Sequence, residues 1–574
     1  MSESIYKQNF EKWKTALLGT EYEAELLELE KDAEKCADSF YRDLEFGTAG
    51  MRGVLGLGTN RMNIFNVRRA TQALADLINE QNQAHRGVAI AYDTRHMSDV
   101  FAEETAGVLL ANGIHVYMYD KPRSVPQLSF AVLELNCFAG VVITASHNPS
   151  QYNGYKVYGE DGGQMATADS AKITQYIERI EDPFHIKTQM LVASDRFNHI
   201  GRSEDFVYYS KVENLIINKE AVQNQAGKIN VVYTPLHGTG LGPVRHVLHD
   251  IGIKKLHIVA EQEMPDGDFP TVSAPNPENR EAFDLAFLLA NKVGADLVLA
   301  TDPDCDRLGI AVRGTSGEFT VLTGNQIGCL LLDYVLSQKQ PGFTGDEFVV
   351  KSLVSTDMAD VIAKQYNVEM RNVYTGFKFI AEQIKLSEQQ GAGKFLFGFE
   401  ESYGYLFGTF VRDKDAVQAS MMVAEMACFY AEKGKTLHDA LLSLYEKYGW
   451  YSEVVISQTL EGQEGIRKIM NAVETLRADY PESIGGFEVL SIYDYKTQTF
   501  TDKKAGKTTP INMDSMNVLS FTLEGGRFIV RPSGTEPKLK TYLSVSAGDA
   551  ATAEARLAKL KEGADGLIGA LLEG

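Results

Sequence analysis

Three times along this chain a glycine-led run of apolar residues ends in a cluster of polar, turn-forming ones. Gly140 to Ile143 runs into TASHNP (144–149), Gly294 to Ala300 into TDPDCDR (301–307), and Gly393 to Phe397 into GFEESYG (398–404). Each run has an upstream companion with its own polar exit: VAIAYDTRH (88–96), INVVYTPLHGTG (229–240) and EFVVKSLVSTD (347–357). Between companions the apolar residues fall at helical spacing, as in Ala102 to Ala111 and Val244 to Leu248. Strands of branched residues alternating with helices are the signature of βαβ units on a mostly parallel sheet covered on both faces. The pattern predicts three α/β domains of matching internal order.

Beyond an apolar helix around Ala416 to Lys433 and a Gly/Lys-rich turn (Glu432 to Lys435) the pattern changes. Short alternating strands follow over 517–526 and 527–545, then a closing helix from about Ala551 to Leu560. Hairpins plus helix predict a smaller α+β domain. A chain of 574 residues is too long for one core. The expected architecture is four domains, 1–205, 206–320, 321–450 and 451–574, the first three α/β with mixed, mostly parallel sheets.

With 44% apolar and 23% charged residues the chain is globular. Its 56 basic and 77 acidic residues leave a net charge of -21, which opposes binding to nucleic acid or to an anionic membrane, so neither is expected as a partner. An anionic substrate would have to meet a locally basic cleft. No apolar run approaches the ~20 residues a membrane helix needs. The opening MSESIYKQNFEKWK carries charges where a secretory signal needs an apolar core, and its Tyr6, Phe10, Trp13 and Leu17 recur at helical spacing. Five scattered cysteines without C-x-x-C spacing indicate neither a disulfide framework nor a zinc site, and a cytoplasmic location is expected.

Polar exits of α/β strands are where such sheets carry ligands and chemistry. Ser146 in TASHNP reads as a nucleophile or phosphate carrier, or else as the cap of a following helix, with an Asn-Gly-x-Lys turn from Asn153 to Lys156 close behind. Asp302, Asp304 and Asp306 concentrate three carboxylates within five residues, a set of hard oxygen ligands suited to Mg²⁺ or Mn²⁺, or else a solvated acidic turn. An EF-hand is excluded, because Arg307 and Arg313 stand where the sixth-position Gly and twelfth-position Glu are needed. Glu400, Glu401 and Ser402 beside glycines suit sugar hydroxyls, or cap a helix. Arg531 to Thr535 (RPSGT) combines a guanidinium fork, two hydroxyls and a glycine that can form an anion nest, or is a plain turn. Arg52 in FGTAGMRG and Lys378 in TGFK are cations beside glycines, and His147, His237 and His96 stand at strand exits where acid-base work is possible or where a structural hydrogen bond is made. No G-x-S-x-G surrounds Ser146, and GTGLG (238–242) lacks the full dinucleotide fingerprint.

In this order, TASHNP, DPDCDR, GFEES and RPSGTEP resemble the four signature loops of the α-D-phosphohexomutase family. FGTAGMRG, YDTR (92–95) and TGFK (375–378) also resemble family segments, so the likeness spans about residues 40 to 545, and it is greatest to the branch holding bacterial phosphoglucomutases and the phosphoglucomutase/phosphopentomutase enzymes of animals. The resemblance implies four domains around a central cleft. It implies that Ser146 is a phosphoserine, that Asp302, Asp304 and Asp306 hold Mg²⁺ with an oxygen on Ser146, and that Thr375, Gly376, Glu400 and Ser402 read the sugar. Arg531, Ser533, Gly534 and Thr535 would hold the phosphate that is not reacting, Arg52 and Arg307 would stabilise the transferring group, and His147, Lys156 and Lys378 are candidates for acid-base work. The implied activity is the interconversion of glucose 1-phosphate and glucose 6-phosphate through glucose 1,6-bisphosphate. Mannose or pentose phosphates, bisphosphate synthesis, or a non-catalytic sugar-phosphate sensor are the alternatives. One departure stands out: some members place a histidine after the sugar loop, where this chain has Tyr403, Gly404 and Tyr405.

Overall fold

A computed structural model describes residues 2–573 except 48–49, 461 and 534–537. Among the described residues the chain forms four sheets, one for each part of the sequence pattern. The first has six strands in the order 50–54, 152–159, 139–143, 88–92, 116–119 and 197–200. Its last three pairings are parallel and its first two antiparallel. The strands Val88–Tyr92 and Ala139–Ile143 are buried at every residue, as strands covered by helices on both faces must be. Helices Ile64–Glu80, Ser98–Ala111 and Val125–Glu134 supply that cover.

The second sheet runs 319–321, 308–313, 297–301, 230–234 and 255–258, and the third 369–373, 347–352, 394–400 and 404–406. In both, a parallel core ends on an antiparallel strand that folds straight back from a polar loop. That return places each loop at a sheet edge shared by two strands. The final sheet is antiparallel throughout and carries helices Gly462–Ala478 and Ala550–Glu573 on its apolar side.

Local chemistry accounts for the helix starts. Asn63 accepts from the Asn66 N–H, Ser124 forms a capping box with Gln127, Thr323 forms another with Gln326, and Asp415 caps the helix Ala416–Glu432. Phe10, Trp13 and Leu17 are buried, and Trp13 stands edge-on to Phe40, Phe65 and Phe184. No described helix is long and apolar enough to cross a membrane.

Three local expectations change. Asn153 to Lys156 is not a turn but lies within the strand Tyr152–Gly159, because that segment pairs on both edges, with 50–54 and with 139–143. The strand expected to end at Phe397 continues to Glu400, held by pairing with Glu347–Ser352 and Gly404–Leu406. The closing helix runs on to Glu573, since Ala564 and Ile568 extend its buried stripe. The chain divides into two compact units, 1–353 with 363–439, and 354–362 with 440–574.

Candidate active site

Ser146 stands three residues past the end of a fully buried strand, and no helix begins directly after it, which removes the capping alternative. Its backbone is left-handed, with φ of 52°, a conformation a non-glycine residue holds only when its surroundings fix it. Thr144 Oγ1 accepts the Ser146 N–H at 2.8 Å and donates to Asp304 Oδ2 at 3.2 Å. Gly154 lets this loop sit close: a Cβ there would lie 2.5 Å from the Thr144 carbonyl oxygen and 2.9 Å from that of Met51. The Ser146 hydroxyl donates to Asp302 Oδ2 at 2.8 Å, and His147 Nδ1 lies 3.2 Å from Ser146 Oγ. A hydroxyl has one proton, so with that proton on Asp302 the imidazole is the donor in the second contact. Burial, reinforced by the charges of Arg307 and Arg52, pushes the His147 pKa well below the usual range and keeps the ring neutral.

The aspartates lie on the sharp loop between strands 297–301 and 308–313, where Asp302 Oδ1 takes the N–H groups of Asp306 (3.1 Å) and Arg307 (3.0 Å). One oxygen from each of Asp302, Asp304 and Asp306 lies within 4.8 Å of the others, and all three side chains are buried. Cys305 turns away, towards Gly240, where an added Cβ would meet its sulfur at 3.0 Å. Lys156 Nζ reaches Asp304 Oδ2 at 3.0 Å, and Lys414 Nζ reaches both Asp306 Oδ2 and Asp413 Oδ1 at 3.0 Å. Burial opposes ionisation of Asp304, but Lys156, a hydrogen bond with Asp302 and the charge of Lys414 together outweigh it and hold that carboxyl below the usual range. Burial, with Asp304 beside it, pushes Asp302 well above it.

Asp304 Oδ1 and Asp306 Oδ1 are buried without a hydrogen-bond partner. Buried carboxylate oxygens left open beside a third acid and a hydroxyl are what a hard divalent cation requires, so the residues present fit a metal ion. A second group that could hold an ion, Glu213, His246 and Asp250, is partly exposed and already paired through His246 and Asp250 at 3.3 Å.

The sugar-loop residues meet the metal loop through the backbone. The Leu308 N–H donates to the Tyr403 carbonyl at 3.0 Å, and Arg307 bridges to Gly404. Glu400 is buried at the end of its strand and accepts the Gly376 N–H at 2.6 Å, which ties TGFK to GFEES. Burial and the adjacent Glu401 push the Glu400 pKa up to about 7. Ser402, Thr375 and Gly376 stay half-buried. Tyr403 does not take the place of a histidine, since its hydroxyl donates to the Leu322 carbonyl at 3.1 Å. Glu401 turns aside to accept from Ser352 at 2.8 Å.

The other expected residues are placed as follows. Arg52 Nη1 donates to Asn148 Oδ1 at 3.1 Å, and Arg307 is ion-paired with Glu278. Lys378 donates to Thr167 Oγ1 at 3.2 Å rather than to the aspartates, and burial lowers its pKa. His237 and His96 make structural bonds, to Met264 O with Thr271 Oγ1 and to Asp268. In the second compact unit Arg531 Nη1 lies 3.5 Å from the Tyr542 hydroxyl and the Ser533 N–H donates to the Lys538 carbonyl; Gly534 and Thr535 lie outside the described residues. Sequence reasoning missed Thr144, Arg95, Asp413 and Lys414. The available signal was RDKD (412–415), four successive charges abutting an apolar helix, all of them buried.

Four family models match this chain in order. Phosphoglucomutase/phosphomannomutase α/β/α domain I matches residues 43–184, domain II 207–316, domain III 323–448, and the C-terminal domain 498–560. A protein described as phosphoglucomutase from Staphylococcus epidermidis is 40% identical over 506 residues, covering 88% of this chain and 91% of its own length. One from Staphylococcus aureus, of the same description, is 41% identical over 512 residues, covering 88% and 90%. Among solved structures, the open form of parafusin from Paramecium superposes with a TM-score of 0.67 at 17% identity, covering 92% of this chain and 94% of that one. A phosphoglucomutase/phosphomannomutase family protein from Burkholderia thailandensis superposes at 0.65 and 17%, covering 92% and 98%.

Proposed function

This chain belongs to the phosphoglucomutase/phosphomannomutase family, and on that premise we propose that the Ser146 hydroxyl carries the phosphoryl group that its reaction moves. The activity is that of a phosphoglucomutase, a phosphoryl-transferring isomerase acting on glucose 1-phosphate and glucose 6-phosphate. The observation that supports the role of Ser146 is its hydroxyl, 2.8 Å from Asp302 in a buried triad that still has two carboxylate oxygens open.

Asp302, Asp304 and Asp306, with an oxygen on Ser146, would hold a Mg²⁺ ion, which when bound neutralises charge on the transferring group. Three carboxylates and one dication leave about one negative charge before any phosphate arrives, and a phosphoserine adds roughly -1.5 to -2. Cations must therefore crowd the site, and Lys156, Lys414, Arg307 and Arg52 stand there. Lys156, already on Asp304, is the better placed proton carrier. Lys378, bonded to Thr167, would have to move to serve, and neutral His147 orients the serine oxygen. Glu400, Ser402, Thr375 and Gly376 would read the sugar hydroxyls, and Arg531, Ser533, Gly534 and Thr535 the distal phosphate.

One serine serves both ends of the sugar, so glucose 1,6-bisphosphate is the expected intermediate and must turn end for end. The domain limits near 205, 320 and 450 belong to the same proposal. So does a cytoplasmic location, supported by five buried cysteines scattered without C-x-x-C spacing. Intact-mass measurement should find one phosphate, absent from Ser146→Ala, and that variant should lack mutase turnover with glucose 1,6-bisphosphate supplied. Wild-type turnover by Ser146→Ala would end the phosphoserine reading.

A further inference from the structure

We propose that Arg95, which touches no reacting atom, is the positioning residue that aims the Ser146 hydroxyl at the aspartate triad. Its guanidinium is buried and gathers the carbonyls of the loop that carries the serine. Nη2 donates to Ser146 O at 2.6 Å and to Asn148 O, and Nη1 to Pro149 O at 2.8 Å and Tyr152 O at 3.1 Å. Four acceptors from seven consecutive residues thus converge on one side chain.

The bond to the Ser146 carbonyl fixes the peptide plane after the serine. Thr144 Oγ1, on the Ser146 N–H, fixes the plane before it. With both planes pinned, the strained φ of 52° cannot relax, and the Cα–Cβ bond keeps one direction, towards Asp302 Oδ2. Arg95 is itself held on three sides. Asp93 Oδ2 lies 3.3 Å from Nε, Asp93 Oδ1 accepts the Arg95 N–H at 3.0 Å and the Ser98 hydroxyl at 2.7 Å, and the Phe269 ring lies 4.9 Å from the guanidinium. A lysine offers three donors at one point and cannot span carbonyls that a planar fork reaches from two nitrogens.

This inference rests on Ser146 being the phosphoryl carrier, and the test keeps the two apart. Arg95→Lys and Asp93→Asn are compared with the parent for intact-mass phosphorylation by glucose 1,6-bisphosphate, kcat, KM for glucose 1-phosphate and half-saturating Mg²⁺. Misplacing a reacting atom by about 1 Å can slow a reaction roughly 100-fold. Arg95→Lys should lose that much kcat and slow Ser146 phosphorylation equally, with KM and half-saturating Mg²⁺ within twofold of the parent. Asp93→Asn should move kcat in the same direction and again leave KM alone. Methylguanidinium added to Arg95→Ala should restore part of the lost kcat, which a general packing defect would not allow. Parent-like kcat in either Arg95→Lys or Asp93→Asn overturns the role of Arg95. A parent protein without phosphate on Ser146, as active as its Ser146→Ala variant, overturns the phosphoserine reading instead.

Discussion

Replacing Asp304 by Asn removes one of three buried charges while keeping the shape of the side chain, and the structure sets the size of the effect. At about 4 Å and an effective dielectric constant near 20, two unit charges interact by about 4 kcal/mol, so a carboxylate and a dication interact by about twice that. Roughly half is returned, because the amide oxygen still ligates and the repulsion from Asp302 and Asp306 falls. The Lys156 ammonium, 3.0 Å from Asp304 Oδ2, works the other way, since it loses its counter-charge and then repels the ion. Even without the Lys156 contribution the loss is about 4 kcal/mol, which corresponds to roughly a thousandfold weaker Mg²⁺ affinity. The assay is mutase rate against free Mg²⁺, with far-ultraviolet circular dichroism to confirm the fold. Half-saturation should rise by two to three orders of magnitude, and kcat at saturating Mg²⁺ should fall as well. A shift below about tenfold in a folded variant would refute the assignment of the triad as the metal site.

Two further outcomes follow from the same geometry. Glu400, pushed up to about 7 by burial, ionises as pH rises through neutrality, and the carboxylate accepts from sugar hydroxyls more strongly than the protonated acid, which turns one oxygen into a donor. KM for glucose 1-phosphate should therefore fall by up to roughly tenfold between pH 6 and pH 8, as the ionised fraction rises, and Glu400→Gln should flatten that profile. Gly154→Ala would drive a Cβ to 2.5 Å from Thr144 O and 2.9 Å from Met51 O, both of them backbone. Since neither can yield without moving the serine loop, kcat should fall further than the ~1–3 kcal/mol usual for overpacking accounts for in stability, as kinetics and thermal unfolding measured together will show.

The α/β pattern was legible because buried parallel strands are nearly continuous apolar runs, and their polar exits are conspicuous. Val88–Tyr92, Ala139–Ile143 and Leu297–Thr301 all lie where the runs place them. The strand position of Asn153 was hidden, because Asn-Gly advertises a turn while the pairing that overrides it comes from residues about a hundred positions away. Lys414 was hidden for a related reason. In RDKD it reads as solvated charge, and only the packing of the third sheet against the second brings it to Asp306. The serine, aspartate and glutamate loops could be picked out one at a time, but the cations that let three acids share a buried volume had to be seen in place. Arg95 stood in a recognised segment, yet its partners are carbonyls, which every residue has and no sequence pattern marks.

The second compact unit includes residues 354–362 as well as 440–574. Within it Arg527 donates to the Ser355 carbonyl at 2.8 Å and pairs with Asp357 at 2.9 Å, so its own sheet leans on a stretch of chain some 170 residues upstream. Cutting the gene once, at the start of the last sheet, would therefore not isolate a self-sufficient piece. Such a fragment would leave Arg527 facing water, and a graft of this unit onto another protein must carry two inserts rather than one.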